Sequence, residues 1–531
     1  MIAAVDVQVD CHAAPCKPVP RYASLTRQQD LRDISTKNRN RRHAVKGKYA
    51  VMSGHADFRR VAFGSEVAGL VGAQLRAGLQ FVRASYFMAG AGRCFAKHSR
   101  PRVQTERTLT ACWTAAGLTY SHVLLVGGVL MFVRLKHALV IAAAVGLVHA
   151  DAAELPGVTA TEIKIGATFP FSGPASQFGA YGKGVIAYIN ALNDRGGING
   201  RKINLIALDD AYSPPKAVEH TRRLVEGDEV AVIFSPLGTA TNSAIVRYLN
   251  SNKIPHLFVV SGAAKFTHAS EFPYTTTSQP SYATEGKVIA RFIATSLPEA
   301  RIGVLYQNDD LGRDFLGAFK DALGADFDKQ VVAAQFEVTQ PTIESQILTL
   351  KAAGANALFV AGAPKFAAQA IRKAHELSWK PLIAIPSVAS SVSATLVPAG
   401  LEASVGVISS SFYKDPNDPK WADDPAIRSY RAHFAKYLTG ADIGDTLYLA
   451  GTQQAALLEQ VLRQCGDDLS RENINRQAHN IKDFALPTFL DGVRVNTGPT
   501  VNQAITQIKL RRWSGRAWEE FGELLGVSGG D

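Results

Sequence analysis

Outside its first 130 residues the chain has a single cysteine, Cys465; the other four, Cys11, Cys16, Cys94 and Cys112, lie in that leading stretch. Residues 131–531 therefore cannot form an intrachain disulfide or assemble a zinc-finger-type site. Cys465 itself falls in "ALLEQVLRQCG", an amphipathic helical pattern, and reads as a packed thiol. Catalytic signatures are missing as well. No G-x-S-x-G elbow occurs, since Ser235 in "IFSPL" has neither glycine. "GAYGKG" (179–184) lacks the first glycine of a phosphate loop and the Ser or Thr that should follow Lys183 to hold magnesium. No G-x-G-x-x-G follows the first strand-like run, and His220, His256, His268, His375, His433 and His479 show no metal-ligand spacing. Asp209-Asp210 ends a strand-like run and reads as a turn or capping pair rather than an acid–base pair. No enzyme, cofactor or metal site is expected.

Charge is unevenly placed. The first 130 residues carry 19 Lys and Arg against 7 Asp and Glu, whereas the remaining 401 carry 38 against 39. The net charge of +11 thus belongs to the leading stretch. The near-neutral remainder gives no reason to expect nucleic acid. "RDISTKNRNRRHAVKGK" could serve as a basic arm, but the Arg-rich, unpatterned character of residues 1–130 fits better a non-structured or untranslated extension ahead of a start at Met131. "MFVRLKHALVIAAAVGLVHADAAELPG" (131–157) has the layout of a secretory signal peptide. Arg134, Lys136 and His137 form its basic region, Ala138–Val148 its apolar run, and Ala150-Asp151-Ala152 its cleavage site, so the mature chain begins near Ala153. The apolar run is too short to span a bilayer. Joined to "VLLVGGVLMFV" (123–133) it is long enough to anchor. However, Arg134 and Lys136 would then sit at mid-membrane, at roughly 2.5–3.5 kcal/mol each. The expectation is a cleaved signal and an exported protein.

The mature 379 residues suit two lobes rather than one core. Short apolar runs alternate with helical patterns: "IKIGATFPF", then "AYGKGVIAYINALNDRGG" with Val185, Ile186, Ile189 and Leu192 on one face, then "KINLIALDD", and so on to "HLFVV". After "SYATEGKVIARFIATSL" the alternation restarts at "RIGVLYQND" and continues to "LIAIP". Continuous β runs separated by helices predict parallel strands joined by crossovers, and the recurrence predicts an α/β fold of two doubly wound lobes. A loop-like stretch (411–425), two helices and a strand-like tail "QAITQIKLRRW" with a turn at "SGRAW" complete the chain.

Small and polar residues gather where strands end, which is where open α/β sheets bind ligands. "SGPASQFGAYG" follows the first strand and "SPLGTATNS" the third. Gly238, Thr239 and Thr241 stand where the next helix presents its free N–H groups, an arrangement suited to a carboxylate. "VVSGAAKF" supplies further amides at Ser261, Gly262 and Ala263.

The opening "IKIGATFPFSGPASQFGAYGKGVIAYINALNDRGGINGRKINLIALDD" resembles the periplasmic binding proteins of branched-chain amino acid type, the type I solute receptors of ABC importers. "SPPKAV", "IFSPLGT", "YQNDDLGRDF" and "GPT" continue the resemblance, which covers 154–525 and none of 1–130. It implies a type I periplasmic-binding-protein fold, two lobes joined by three hinge crossings near Thr276–Gln279, Ile408–Ser410 and Gln507–Lys509. One lobe would comprise 154–277 plus 411–507, the other 278–410 plus 508–531. It further implies a small-molecule solute, ABC permease subunits as partners, and a monomer. By resemblance, Leu237-Gly238-Thr239 and the amides of Ser261 to Ala263 hold a carboxylate, Phe178 or Tyr181 flanks the ligand, and Gly362, Ala363 and Ser387 face it from the other lobe. The chain departs from the family twice. Leu311 stands where an aromatic often follows "NDD", and "IPSVASS" (385–391) has no Glu at the Ser387 position to pair an ammonium. An unpaired buried ammonium is costly. The cargo implied is an amino acid or related small carboxylate, tilted toward an amine-free carboxylate such as an aromatic acid, or toward an amide or similar solute, unless Asp309 or Asp310 supplies the counter-charge. The alternatives are a ligand-sensing regulatory receptor and a membrane-anchored receptor domain.

Overall fold

The protein is described from a computed structural model over residues 155–526. The leading stretch and the predicted signal segment lie outside these residues. Among the described residues no helix is long and apolar enough to cross a membrane.

The chain builds two sheets. The first has β1 (Glu162–Phe169), β2 (Lys202–Asp209), β3 (Val232–Phe234), β4 (His256–Val259) and β5 (Thr275–Thr277) in the order β2-β1-β3-β4-β5, all parallel. Helices α1 (Gly179–Asp194), α2 (Pro214–Arg222) and α3 (Thr239–Ser251) connect its strands. β3 and β4 are buried throughout, as a parallel strand covered on both faces must be, and this is why they read as unbroken apolar runs.

After β5 the chain enters α4 (Tyr282–Ser296) and the second sheet. This sheet holds β6 (Ile302–Gln307), β7 (Val331–Phe336), β8 (Ala357–Ala361), β9 (Leu382–Ala384), β10 (Ile408–Ser411), β11 (Gln507–Trp513) and β12 (Trp518–Gly526), ordered β12-β11-β10-β9-β8-β6-β7. Helices α5 (Asp310–Leu323), α6 (Glu344–Ala352) and α7 (Pro364–Glu376) connect the strands from β6 to β9. Beyond β10 the chain returns to the first sheet's side and forms α8 (Pro425–Phe434), α9 (Thr446–Cys465) and α10 (Arg471–Ala478) before closing with β11 and β12.

The second sheet is mixed, which corrects the expectation of parallel strands alone. β11 pairs antiparallel with β10, and β12 antiparallel with β11. The physical reason is the route. β11 arrives from the other lobe rather than through a crossover helix, and it turns into β12 through the four residues Ser514–Ala517, where the Ser514 N–H donates to the Ala517 carbonyl at 3.0 Å and Gly515 has φ 97°.

The chain therefore passes between the sheets three times: after β5, after β10 and ahead of β11. The first and third passages run side by side. The Thr277 N–H donates to the Asn502 carbonyl at 2.8 Å, and the Ala504 N–H donates to the Thr277 carbonyl at 2.9 Å. In the first lobe α9 packs on α1 at a distance only glycine allows. A Cβ on Gly184 would strike the Tyr448 carbonyl, and one on Gly451 the Tyr181 carbonyl. Cys465 ends α9 as a buried free thiol.

Candidate functional site

All five strand ends of the first sheet meet at one cavity, lined by Phe178 after β1, Tyr212 after β2, Leu237, Gly238 and Thr239 after β3, Val260 after β4 and Gln279 after β5. Facing them from the second lobe are Leu311, Ser387, Val388 and Ser391, while Phe412 and Tyr413 mark the second passage between lobes. Tyr282 of α4, Tyr181 of α1 and Thr446, Leu447 and Ala450 of α9 complete the lining, so the close α1–α9 contact sets one side of the cavity. The atom-free space, with the mouth and adjoining solvent included, is about 660 Å³. Six aromatic rings line it, and no Lys, Arg, His, Asp or Glu does.

Left-handed backbone aims several of these groups. Ala211 and Tyr212 sit at φ 51° and 59°. The Asp pair before them makes the turn: Asp209 accepts the Ser172 and Ala211 N–H groups at 3.1 and 2.9 Å, and Asp210 accepts the Tyr212 N–H at 2.8 Å. Burial raises Asp210 to about 6, whereas at Asp209 the hydrogen bonds from Ser172 and Ala211 outweigh burial and lower it. Ser235, at φ 52°, meets the Tyr181 hydroxyl at 2.8 Å. Burial pushes the phenols of Tyr181, Tyr212 and Tyr282 upward, so all three face the cavity uncharged.

The start of α3 is the donor end. Gly238 has φ 123°, and a Cβ there would lie 2.6 Å from Thr241 Oγ1 and 2.8 Å from the Tyr212 ring. No side chain caps this helix, and its first internal bond runs from the Asn242 N–H to the Gly238 carbonyl. The N–H groups of Thr239, Ala240 and Thr241 thus lie outside the helical ladder. Such a terminus favours negative charge.

The opposite wall offers hydroxyls. The Ser387 backbone N–H and Oγ donate to buried Glu285 at 2.6 and 3.2 Å, and Ser410 Oγ donates to the same carboxylate at 2.5 Å. Burial raises Glu285, with those hydrogen bonds opposing it. Ser391 Oγ donates to Asp445 at 2.8 Å, joining the second lobe to the cap of α9. Thr446 Oγ1 is buried without a hydrogen-bond partner.

Of the residues singled out from sequence, Phe178, Tyr181, Leu237, Gly238, Thr239, Leu311 and Ser387 line the cavity. Ser261, Gly262 and Ala263 do not; they stand behind the lining. Ser261 Oγ bonds Thr239 Oγ1 at 2.9 Å, and the Gly262 carbonyl accepts the Tyr282 N–H at 2.8 Å. Gly362 and Ala363 are also outside, because Gly362 lies against the Phe336 ring, which packs on Phe366 at 4.3 Å and fills that position. Neither acid of "NDD" lines the cavity. Asp309 caps α5 by accepting the Leu311 and Gly312 N–H groups, and Asp310 is held by Lys265, Arg313 and Ser243. Sequence reasoning missed Tyr212, Tyr282, Phe412, Tyr413 and Thr446. Tyr212 alone had a signal, following an Asp pair at a strand end.

A family model described as "Periplasmic binding protein" matches residues 162–517, most of the chain. The chain belongs to the periplasmic binding protein family. That family is one of solute-binding proteins, not of enzymes. An "Amino acid binding protein" of Pseudomonas aeruginosa strain PAO1 is 24% identical over 40% of this chain and 58% of its own length. "Leu/Ile/Val-binding protein homolog 3" of Brucella melitensis biotype 1 is 22% identical over 48% of this chain and 66% of its own. The receptor thus spans about three fifths to two thirds of these relatives. The fold is that of a possible leucine/isoleucine/valine-binding protein from Rhodopirellula baltica (19% identity, TM-score 0.61, 71% of this chain and 100% of that one). It is shared by a branched chain amino acid ABC transporter protein from Thermus thermophilus with bound valine (17% identity, TM-score 0.63, 70% and 98%). Among the described residues no group of three or more His, Cys, Asp or Glu is placed to hold a metal ion.

Proposed function

We propose that the receptor serves an ABC importer, exported by cleavage near Ala152/Ala153, and closes as a monomer on a small apolar carboxylate, aromatic or branched aliphatic, for delivery to permease subunits. Its lobes, 154–277 plus 411–507 and 278–410 plus 508–531, move as two bodies about the three passages. The carrying observation is the cavity itself: an uncapped helix start at Gly238-Thr239, six aromatic rings, and no charged side chain in the lining. The helix start takes the carboxylate and the rings take the apolar body. A ligand ammonium has no carboxylate in the lining to pair with, and burying it unpaired costs several kcal/mol. This favours an amine-free acid over leucine, isoleucine or valine.

The test is thermal unfolding of the purified chain with matched pairs of amino acids and their deaminated acids, together with benzoates and cinnamates. At 100 times its dissociation constant a ligand adds about 2.7 kcal/mol. Amine-free acids are expected to raise the midpoint. Stabilisation by aliphatic amino acids alone would contradict the reading.

A further inference from the structure

The two ends of the cavity differ in hydrogen-bond polarity, and this constrains the cargo further. The α3 start offers donors only. On the facing lobe Ser387, a residue 7% exposed, directs its hydroxyl proton to Glu285 Oε2 at 3.2 Å. The oxygen that lines the cavity therefore keeps its lone pairs and acts as an acceptor. Ser391 repeats the arrangement. Its proton goes to Asp445 at 2.8 Å, one lone pair takes the Ala394 N–H at 3.0 Å, and another is left over. Thr446 Oγ1, at the start of α9 in the first lobe, is another buried hydroxyl of the lining. Glu285 is locked in this role because Ser410 Oγ and the Ser387 N–H fix its other oxygen at 2.5 and 2.6 Å.

We infer that Ser387, polarised by the buried Glu285, selects cargo with a neutral hydrogen-bond donor at the end remote from its carboxylate, so that the ligand class is a hydroxy-carboxylate. A hydroxyl fits where an ammonium does not: it donates to the serine oxygen without needing a counter-charge. Glu285 is the positioning residue, acting through Ser387 and not on the ligand. The inference rests on the reading of the cavity as a carboxylate receptor.

The test measures dissociation constants of the full chain for two matched pairs, 4-hydroxybenzoate with benzoate and 5-hydroxypentanoate with pentanoate. In at least one pair the hydroxylated acid is expected to bind about tenfold more tightly, the scale of one well-made hydrogen bond in a dry site. Glu285→Gln places an amide donor against Ser387, occupying its lone pair, and should bring that ratio to about one. Ser387→Ala should do the same without disturbing the buried acid's other contacts, which covers the case in which Glu285→Gln does not fold. Equal affinities within both pairs in the wild type, or a ratio unchanged in Ser387→Ala, would overturn the inference and leave the carboxylate reading standing. Failure of every acid to bind would overturn both.

Discussion

On the first-lobe wall of the cavity the backbone N–H groups that open α3, aimed by a left-handed glycine, stand among tyrosine hydroxyls. On the second-lobe wall they are side-chain hydroxyls, whose protons are held by carboxylates from elsewhere in the chain. The contrast shows two ways of fixing a binding site. Backbone donors are set by the fold and tolerate no Cβ at Gly238, whereas hydroxyl acceptors are set by residues behind them and can be retuned one partner at a time.

The comparison breaks most completely where the first lobe's own framework fails. Gly451→Leu drives a side chain into the Tyr181 carbonyl and separates α9 from α1. It should cost about 3 kcal/mol or more in urea unfolding and abolish binding, because Thr446, Leu447 and Tyr181 move with those helices. Gly238→Ala acts on the backbone wall alone. With φ at 123° and Thr241 Oγ1 2.6 Å from the new Cβ, the strain should cost about 1–3 kcal/mol. Affinity for any carboxylate should fall more than stability does, as calorimetry would show.

The neighbouring acids Asp309 and Asp310 sharpen the contrast through pH. Burial raises Asp309 from its usual 3.8 to about 6. The folded chain therefore holds that proton more tightly than the unfolded one, and its contribution to stability falls as pH rises from about 4 to 6. At Asp310 burial is outweighed by hydrogen bonds from Arg313, Lys265 and Ser243, which hold it at about 2. Its contribution is present above the usual 3.8 and is lost as pH falls toward 2. Urea melts across this range should show Asp309→Asn removing the fall toward pH 6, and Asp310→Asn weakening the loss in acid. The smallest effect is expected from Tyr181→Phe. It leaves Ser235 Oγ without its 2.8 Å partner, costs about 1 kcal/mol, and should change ligand selectivity little.

Much of this was legible in sequence because it is local. The strand runs alternate with amphipathic helices within a few residues, so the two-lobed α/β fold follows from periodicity, and "SPLGT" shows its glycine and helix start side by side. What could not be read is non-local. β12 and the antiparallel β11 depend on the chain coming back from the other lobe. "IPSVASS" looked bare of acid because Glu285 lies 102 residues earlier in the chain, in the first turn of α4. Gly362 and Ala363 are excluded by a ring from β7, a contact no local pattern encodes. Tyr413 and Thr446 reach the cavity only because the chain crosses back before α9.

The most direct test of the central claim is calorimetric titration of the chain with one stabilising acid and its primary amide. The two share shape and apolar body and differ in the charge presented to the start of α3. The account predicts that the acid binds at least tenfold more tightly and that Gly238→Ala removes the difference. Equal binding of acid and amide would show that the helix start does not hold the ligand, and would contradict the account.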